Sequence, residues 1–310
     1  MNAIMTLFNL GSINIDHLYQ VDHFVRPGET LSSSKYQTVL GGKGANQSIA
    51  LARAGADVRH IGAVGQQDAW ALSQLQEAGV NTDHVALLPQ ASGHAIIQLT
   101  KAAENAIILY PGANHNLTDS HLEQALATAQ KGDWMLMQNE TNGLEAAIAL
   151  ARKQGLNIAF NPAPMDVQRV RPMLSQIDWL IVNEVEAMDL TETESVTAAE
   201  QALVESYPQL HILLTLGKDG VVYLHQAHRD SAAAHSVEAV DTTAAGDTFI
   251  GYTLSALATG ESPTQAMALG SAAAAICVTR LGASSSIPTL DETQNFMKQA
   301  ASQAKNGDPK

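Results

Sequence analysis

Between residues 133 and 224, short apolar runs alternate with helix-length amphipathic segments, and this rhythm limits the fold more than any other feature. Residues 133–137, 157–160, 179–182, 212–216 and 221–224 read as strands, and 143–154 and 197–206 as helices. Strands that are apolar on both faces must be covered on both sides. The pattern therefore predicts a mostly parallel sheet between two layers of helices. Residues 4–13 and 58–64 read as further strands, 68–79 as a helix, and 266–278 as an alanine-rich helix suited to tight packing. Polar clusters follow four of the strands: Gln138-Asn139-Glu140, Asn161-Pro162-Ala163-Pro164, Asn183-Glu184-Val185-Glu186 and Thr215-Leu216-Gly217-Lys218-Asp219-Gly220. In such a sheet ligands bind at the carboxyl ends of the strands, so one shared edge is the expected site.

One interruption stands out. Residues 94–100 and 106–110 read as a hairpin with its turn near 102–105, and residues 21–40 hold short β-like stretches with Pro27-Gly28 as a turn. Together they predict a small sheet, inserted at about 14–40 and 93–111 into one domain that spans residues 1–310. A chain of 310 residues can bury a core of good size. Its net charge of −14 argues against nucleic acid or an anionic membrane surface as a partner. Any phosphate site must then be built from local donors. Cys277 is the only cysteine, which fits a reducing cytoplasm, and the small buried apolar role is the expected one for it. The first residues lack the basic and small-residue pattern of a signal peptide, and no apolar run reaches the length of a membrane span. The 11 histidines show no zinc spacing, and residues 305–310 read as a polar tail.

The chemistry concentrates in a few stretches. Asp241-Thr242-Thr243-Ala244-Ala245-Gly246-Asp247-Thr248-Phe249 precedes apolar residues at helical spacing. A small-residue turn before a helix exposes unpaired amides and a partial positive charge, which suit a phosphate. Asp247 beside it can take a proton from an attacking hydroxyl; the competing reading is an ordinary Asp-capped helix start. Gly41-Gly42-Lys43-Gly44-Ala45-Asn46-Gln47 leads into a helix ending at Gly55. It is neither a P-loop nor a dinucleotide fingerprint, and a glycine turn with Asn46 as a cap is the plain alternative. Asn14 and Asp16 face the same way in an extended segment, where an amide and a carboxylate suit a polyhydroxyl ligand. Glu140 can bind a hydroxyl or cap a helix. Asn183 and Glu186 read either as a capping pair or as a site where Glu186 holds magnesium through water. Residues 279–286 form a loop rich in carbonyls and hydroxyls that can wrap a monovalent cation or a base, or simply connect.

These motifs, in this order, resemble the ribokinase-like (PfkB) carbohydrate kinases over nearly the whole chain, and most closely the ribose-phosphorylating members. The resemblance implies an α/β fold, a three-layer sandwich with a mostly parallel central sheet and a small β-sheet lid that often serves as a homodimer contact. It implies ATP-dependent transfer to O5 of D-ribose. Asp247 matches the catalytic base, and the amides of Ala244, Ala245 and Gly246 match the anion hole. Asn14, Asp16, Gly42, Lys43, Asn46 and Glu140 match sugar-binding positions. Asn183, Thr215, Gly217, Gly220, Gly246 and Ser271 match nucleotide contacts, and Glu186 matches a magnesium organiser. Asp241, Thr243, Cys277, Arg280, Gly282 and Ser286 match a loop for activating potassium, several through main-chain carbonyls. The chain departs from the family's pattern at Thr243, at Cys277, along 65–70 and along 139–142. Two other readings stay open: a kinase of the same family for deoxyribose, fructose or a nucleoside, and a silent sugar or nucleotide sensor on the same fold.

Overall fold

The computed structural model describes residues 5–101 and 104–305. The expected turn residues Ala102 and Ala103 and most of the expected tail, 306–310, lie outside the described residues, as does Ile4 of the first predicted strand. In chain order the first elements are β1 (Thr6–Leu10), β2 (Asn14–Gln20), β3 (Lys35–Gly41), α1 (Lys43–Arg53), β4 (Asp57–Gly65) and α2 (Trp70–Glu77). Next come β5 (Asn81–Leu88), β6 (Gly93–Leu99), β7 (Asn105–Tyr110), α3 (Asp119–Leu126), β8 (Trp134–Gln138), α4 (Leu144–Gln154) and β9 (Asn157–Asn161). They are followed by α5 (Val167–Val170), β10 (Trp179–Asn183), α6 (Glu184–Thr191), α7 (Val196–Ser206), β11 (His211–Thr215), β12 (Val221–His225) and β13 (His228–Ala232). The last three are α8 (Ala245–Ala258), α9 (Pro263–Val278) and α10 (Leu290–Lys305).

The large sheet has nine strands in the order β13-β12-β11-β10-β9-β8-β1-β4-β5. From β11 through β5 every pairing is parallel; β12 and β13 add an antiparallel edge. Successive side chains enter opposite layers, as the two-residue period of a strand requires. Leu7 and Ala159 point to one core, with Ile49, Phe249, Tyr252 and Met267 of α1, α8 and α9. Phe8 and Phe160 point to the other, with Leu122, Ile148, Leu190 and Leu203 of α3, α4, α6 and α7. Phe8 and Phe160 are completely buried, each contributing about 1.5–3 kcal/mol of burial.

The small sheet runs β3-β2-β6-β7. Its outer pairings are antiparallel and the central β2–β6 pairing is parallel. It leaves the body through four short joints: Leu10 to Asn14, Gly41 to Lys43, Leu88 to Gly93 and Tyr110 to Gly112. This corrects the single strand expected over 4–13. The backbone quits the large sheet at Leu10 and restarts in the small one at Asn14, because Gly11 and Ser12 turn against α1. Likewise only one strand, β3, falls in the stretch expected over 21–40; residues 21–34 form a strand-free connection from β2, with the turn at Pro27 and Gly28. The helix expected over 68–79 starts at Trp70, after a short 3-10 turn over Gln66–Asp68. Among the described residues no helix is long and apolar enough to cross a membrane.

Candidate active site

The four polar clusters follow β8, β9, β10 and β11, adjacent parallel strands, and so lie along one edge of the large sheet. Against that edge stand the N-termini of α1 and α8. Gly42 caps α1 with φ of 94°, where a Cβ would lie 2.9 Å from the Asn14 nitrogen and from the Ser12 oxygen. Gly44 lets α1 close onto the backbone of Gly11, which a Cβ would strike. Only glycine fits either place.

α8 begins at a strained residue. Ala244 holds φ of 60°, the left-handed region that non-glycine residues rarely adopt, and no side chain caps the helix. The turn therefore hinges on Ala244. Gly246 sits inside the first helical turn, where a Cβ would meet open space. Asp247 is not the cap. It lies in that first turn with one carboxylate oxygen accepting from Asn46 Nδ2 at 3.0 Å and the other from Gln47 Nε2 at 2.9 Å. The Ala245 amide donates to the Thr242 carbonyl at 3.3 Å. A carboxylate so fixed, at the start of a helix, can take a proton from a hydroxyl while an anion sits on the helix terminus.

A cleft of about 240 Å³ opens in front of Asp247, bordered by Lys43, Asn183, Glu186, Thr215, Ala244 and Gly246. Burial alone would push the Lys43 ammonium down, but Asp247, Glu140 and Glu186 outweigh it and raise it above the usual lysine range. Lys43 is thus a firmly charged cation facing both halves of the site. Asn183 and Glu186 form a reciprocal capping box at the start of α6: Glu186 N–H donates to Asn183 Oδ1 and Asn183 N–H to Glu186 Oε2, both at 2.9 Å. The cap and the cleft position hold together, because Glu186 still offers its second oxygen. Burial raises the Glu186 carboxyl, against the opposing pull of the Asn183 amide and Lys43.

On the other side of Lys43 lie the small-sheet residues. Glu140 accepts from Ser12 Oγ and, at 3.2 Å, from the Lys43 amide, so it caps α1 from a distance and keeps one oxygen for a ligand. Asp16 lies against Gly41, and burial together with the charge of Glu140 pushes its carboxyl up to about 6. Asn14 accepts from Asn114 Nδ2 at 2.8 Å, which leaves its own N–H groups for a ligand. Asn114 also accepts from the Ile13 amide at 3.0 Å and so ties the joint of β2 to the body. Asp68, in the irregular 65–70 segment, accepts from Ser92 Oγ at 2.5 Å next to the joint of β6.

The residues of the loop expected to wrap a cation also meet. Asp241 accepts from the Gly282 amide at 2.9 Å and from Thr243 N–H and Oγ–H at 2.9 and 2.6 Å. Cys277, buried, lies 3.0 Å from Ser286 Oγ and donates weakly to the Thr243 carbonyl. The Arg280 guanidinium turns away to Glu292 at 2.6 Å, so only its main chain faces the loop. Gly217 and Gly220 flank the short turn after β11, outside the residues that border the cleft. Gly220 is required for packing, since a Cβ there would strike the Ala232 carbonyl. Ser271 lies half-buried on α9 and does not border the cleft. Sequence reasoning missed Gln47, Asn114 and Gln138 as site residues. Gln47 had a signal, since it follows Asn46 in the glycine-rich motif, and so did Gln138, the first residue of the polar cluster after its strand; Asn114 had none.

A nine-stranded α/β body, a small appended sheet and an anion-ready helix start beside a fixed carboxylate define a sugar-phosphorylating class. The pfkB family carbohydrate kinase model matches residues 6–290, and the chain belongs to that family. A ribokinase of Haemophilus influenzae is 40% identical over 306 residues, covering 95% of this chain and 99% of its own. Among solved structures, the ribokinase of Cryptococcus neoformans in complex with ADP superposes with a TM-score of 0.84 at 33% identity, covering 95% of this chain and 99% of that one. The Arabidopsis thaliana ribokinase complexed with ribose and ATP gives 0.85 at 27% identity, with the same coverage.

Proposed function

We propose that this chain transfers the γ-phosphoryl group of ATP to O5 of D-ribose, giving ribose 5-phosphate and ADP. The observation that carries this reading is Asp247, fixed by Asn46 and Gln47 in the first turn of α8 where the cleft meets the hydroxyl-binding cluster. The relatives named ribokinase support the choice of sugar. Asp247 takes the O5 proton as O5 attacks the γ-phosphorus and the bond to the ADP oxygen breaks. The amides of Ala244, Ala245 and Gly246, with Lys43, stabilise the charge on the transferring group. Ionised Asp16 accepts from sugar hydroxyls, as does the free oxygen of Glu140; Asn14 and Asn46 donate, and the turn at Gly42 and Lys43 completes the pocket. Asn183, Thr215, Gly217, Gly220, Gly246 and Ser271 are the nucleotide side of the reading.

Two ions complete it. The second carboxylate oxygen of Glu186 fits magnesium held through water, and the ion's chemistry is to neutralise phosphate oxygens. The carbonyls and hydroxyls of Asp241, Thr243, Cys277, Arg280, Gly282 and Ser286 form an oxygen-rich loop behind Ala244, which fits potassium, and such an ion would stiffen the turn that presents the amides. The small sheet acts as a lid over the sugar, excluding water. Its face with exposed Tyr36, Ile96, Ile108 and Tyr110 is the homodimer contact. A single cysteine suits a cytoplasmic enzyme.

The test is ADP release from Mg-ATP with D-ribose, 2-deoxyribose, fructose or adenosine, with and without potassium. Preference for D-ribose, enhanced by potassium, is expected. Turnover on another member of the panel would overturn the sugar, and no turnover on any would favour a silent sensor.

A further inference from the structure

Behind Asp247 runs an unbroken chain of buried polar side chains. Gln47 Nε2 donates to Asp247 and also to Asn161 Oδ1 at 3.2 Å, and Gln47 Oε1 accepts from Gln138 Nε2 at 2.7 Å. Gln138 donates on to Asn9 Oδ1 at 2.9 Å, and Asn9 Nδ2 donates to Ser48 Oγ at 2.8 Å and to the Gly44 carbonyl at 2.9 Å. Ser48 meets His60 Nδ1 at 2.8 Å, and His60 Nε2 meets the Gly11 carbonyl at 3.1 Å. Asn9, Gln47, Ser48, His60 and Gln138 are all fully buried. A buried network this extensive, in which only Gln138 Oε1 lacks a partner, holds one geometry, since each broken link strands a further polar group away from water.

The direction of every link is dictated from its ends. The Ile181 carbonyl takes Asn161 Nδ2 at 3.0 Å, so Asn161 can offer Gln47 only an acceptor. Gln47 must then turn its N–H groups to Asn161 and Asp247, and its oxygen to Gln138. The Gly11 carbonyl requires a proton on His60 Nε2, and burial, against the pull of that carbonyl, holds His60 down at about 4 and therefore neutral. Ser48 donates to its free Nδ1. No amide in the chain can flip without setting donor against donor or acceptor against acceptor.

Asn46 differs from its neighbour. Its Nδ2 holds Asp247, but its Oδ1 is buried without a partner. An orphan acceptor beside the sugar cluster is what a substrate hydroxyl would satisfy. In Gln47 both N–H groups are committed and the oxygen is already paired with Gln138.

Resting on the function proposed above, we infer that Gln47 is the positioning residue for Asp247. Locked by Asn161 and Gln138, it fixes the plane of the carboxylate, while Asn46 divides its bonds between the carboxylate and the sugar. Gln47 touches no substrate, so its loss should leave binding intact and misaim the proton acceptor.

The experiment compares the wild-type chain with Gln47→Met, Gln138→Met, Asp247→Asn and the Gln47→Met/Asp247→Asn double variant, using D-ribose and Mg-ATP. Gln47→Met is expected to lower kcat by about 10–100-fold with both KM values within about twofold, the mark of misalignment and not of lost binding. Gln138→Met, which frees the Gln47 amide to rotate, should lower kcat by a smaller factor of about three to ten, and it serves if Gln47→Met does not fold. In the Asp247→Asn background the Gln47 substitution should cost nothing further, because a positioning residue has nothing left to position. Wild-type kcat in a folded Gln47→Met, or losses that multiply in the double variant, would overturn the inference. A crystal structure of the folded variant reads the carboxylate directly, without relying on turnover: Asp247 should rotate from its wild-type rotamer, and an unmoved carboxylate would sink the idea. Absence of turnover in the wild type would instead remove the proposed function, leaving that crystallographic result to decide the role of Gln47.

Discussion

The two sheets handle their surfaces in opposite ways. The large sheet is covered on both sides, and β1, β8, β9 and β10 are almost wholly buried. The small sheet keeps Tyr36, Val39, Ile96 and Ile107 through Tyr110 exposed. Yet each contributes to one site. The body holds Asp247, Lys43 and Glu186, and the root of the small sheet brings Asn14 and Asp16. The contrast teaches that the groups which must not move are built into the packed layers. Two of the groups proposed to meet the sugar, Asn14 and Asp16, sit instead on an element hung from four short joints.

The sharpest way to break this division is to exchange the two carboxylates for amides. Asp247→Asn should lower kcat by about 10²–10⁴-fold with the fold intact. Asp16→Asn should act chiefly on the KM for the sugar, because it removes a hydroxyl acceptor and not the proton acceptor. Steady-state kinetics on both variants checks this; equal losses of kcat would erase the distinction.

Stability gives the next largest effect. Phe160 is fully buried in the large-sheet core, paired with Met137 and Leu180 on the neighbouring strands. Phe160→Ala should cost about 3–5 kcal/mol, the loss of a large core side chain plus the cavity it leaves. Urea denaturation measures it, and a cost below about 1 kcal/mol would mean that the layer collapses around the gap.

How much of this was legible follows the same division. The strands from 133 to 224 matched their predicted bounds to within a residue or so, because near-continuous apolar runs have one physical reading. β5 was missed. Its sequence, Asn-Thr-Asp-His-Val-Ala-Leu-Leu, sits at a sheet edge with half-exposed residues and carries no clear period. β13 at the other edge and the short α3 escaped for similar reasons. The break between β1 and β2 was unreadable because Leu10 through Ile15 is continuously compatible with a strand; only contact with α1 turns it. At the site, Asn46 and Asp247, which lie in two separate motifs, are joined by a hydrogen bond. The bonds from Gln138 to Gln47 and from Asn114 to Asn14 span 91 and 100 positions, and no local pattern encodes them.

A smaller effect separates the two regions by pH. His60, in the body, is held at about 4 against an ordinary 6.5. The unfolded chain therefore binds the proton better, so stability rises with pH between about 4 and 6.5 and is lost as pH falls through that window. Asp16 does the reverse. Its carboxyl is raised to about 6 from 3.8, so the folded chain holds the proton better and stability falls as pH rises between those values. The two slopes oppose. Asp16→Asn should therefore gain stability relative to the wild type as pH rises from 4 to 6, by roughly 2 kcal/mol at most. Urea curves at several pH values would read it out. Saturating sugar should shrink the difference, since its hydroxyls favour the ionised form of Asp16. Parallel curves would contradict the buried environment assigned to Asp16.

The smallest effect on stability should come from the exposed face of the small sheet. Tyr36, Ile96, Ile108 and Tyr110 alternate with residues of the Asp16 face, as strand register requires. Ile108 is 63% exposed, so Ile108→Ser should change the unfolding free energy by less than about 0.5 kcal/mol in the monomer. Its consequence should appear in self-association. If this face pairs two copies, sedimentation of the Ile96→Ser/Ile108→Ser variant should shift toward monomer, and denaturation of the wild type should depend on concentration while that of the variant does not. A variant that sediments as the wild type does would leave the apolar face to the lid motion alone. The small sheet would then differ from the large one in mobility and not in partnership.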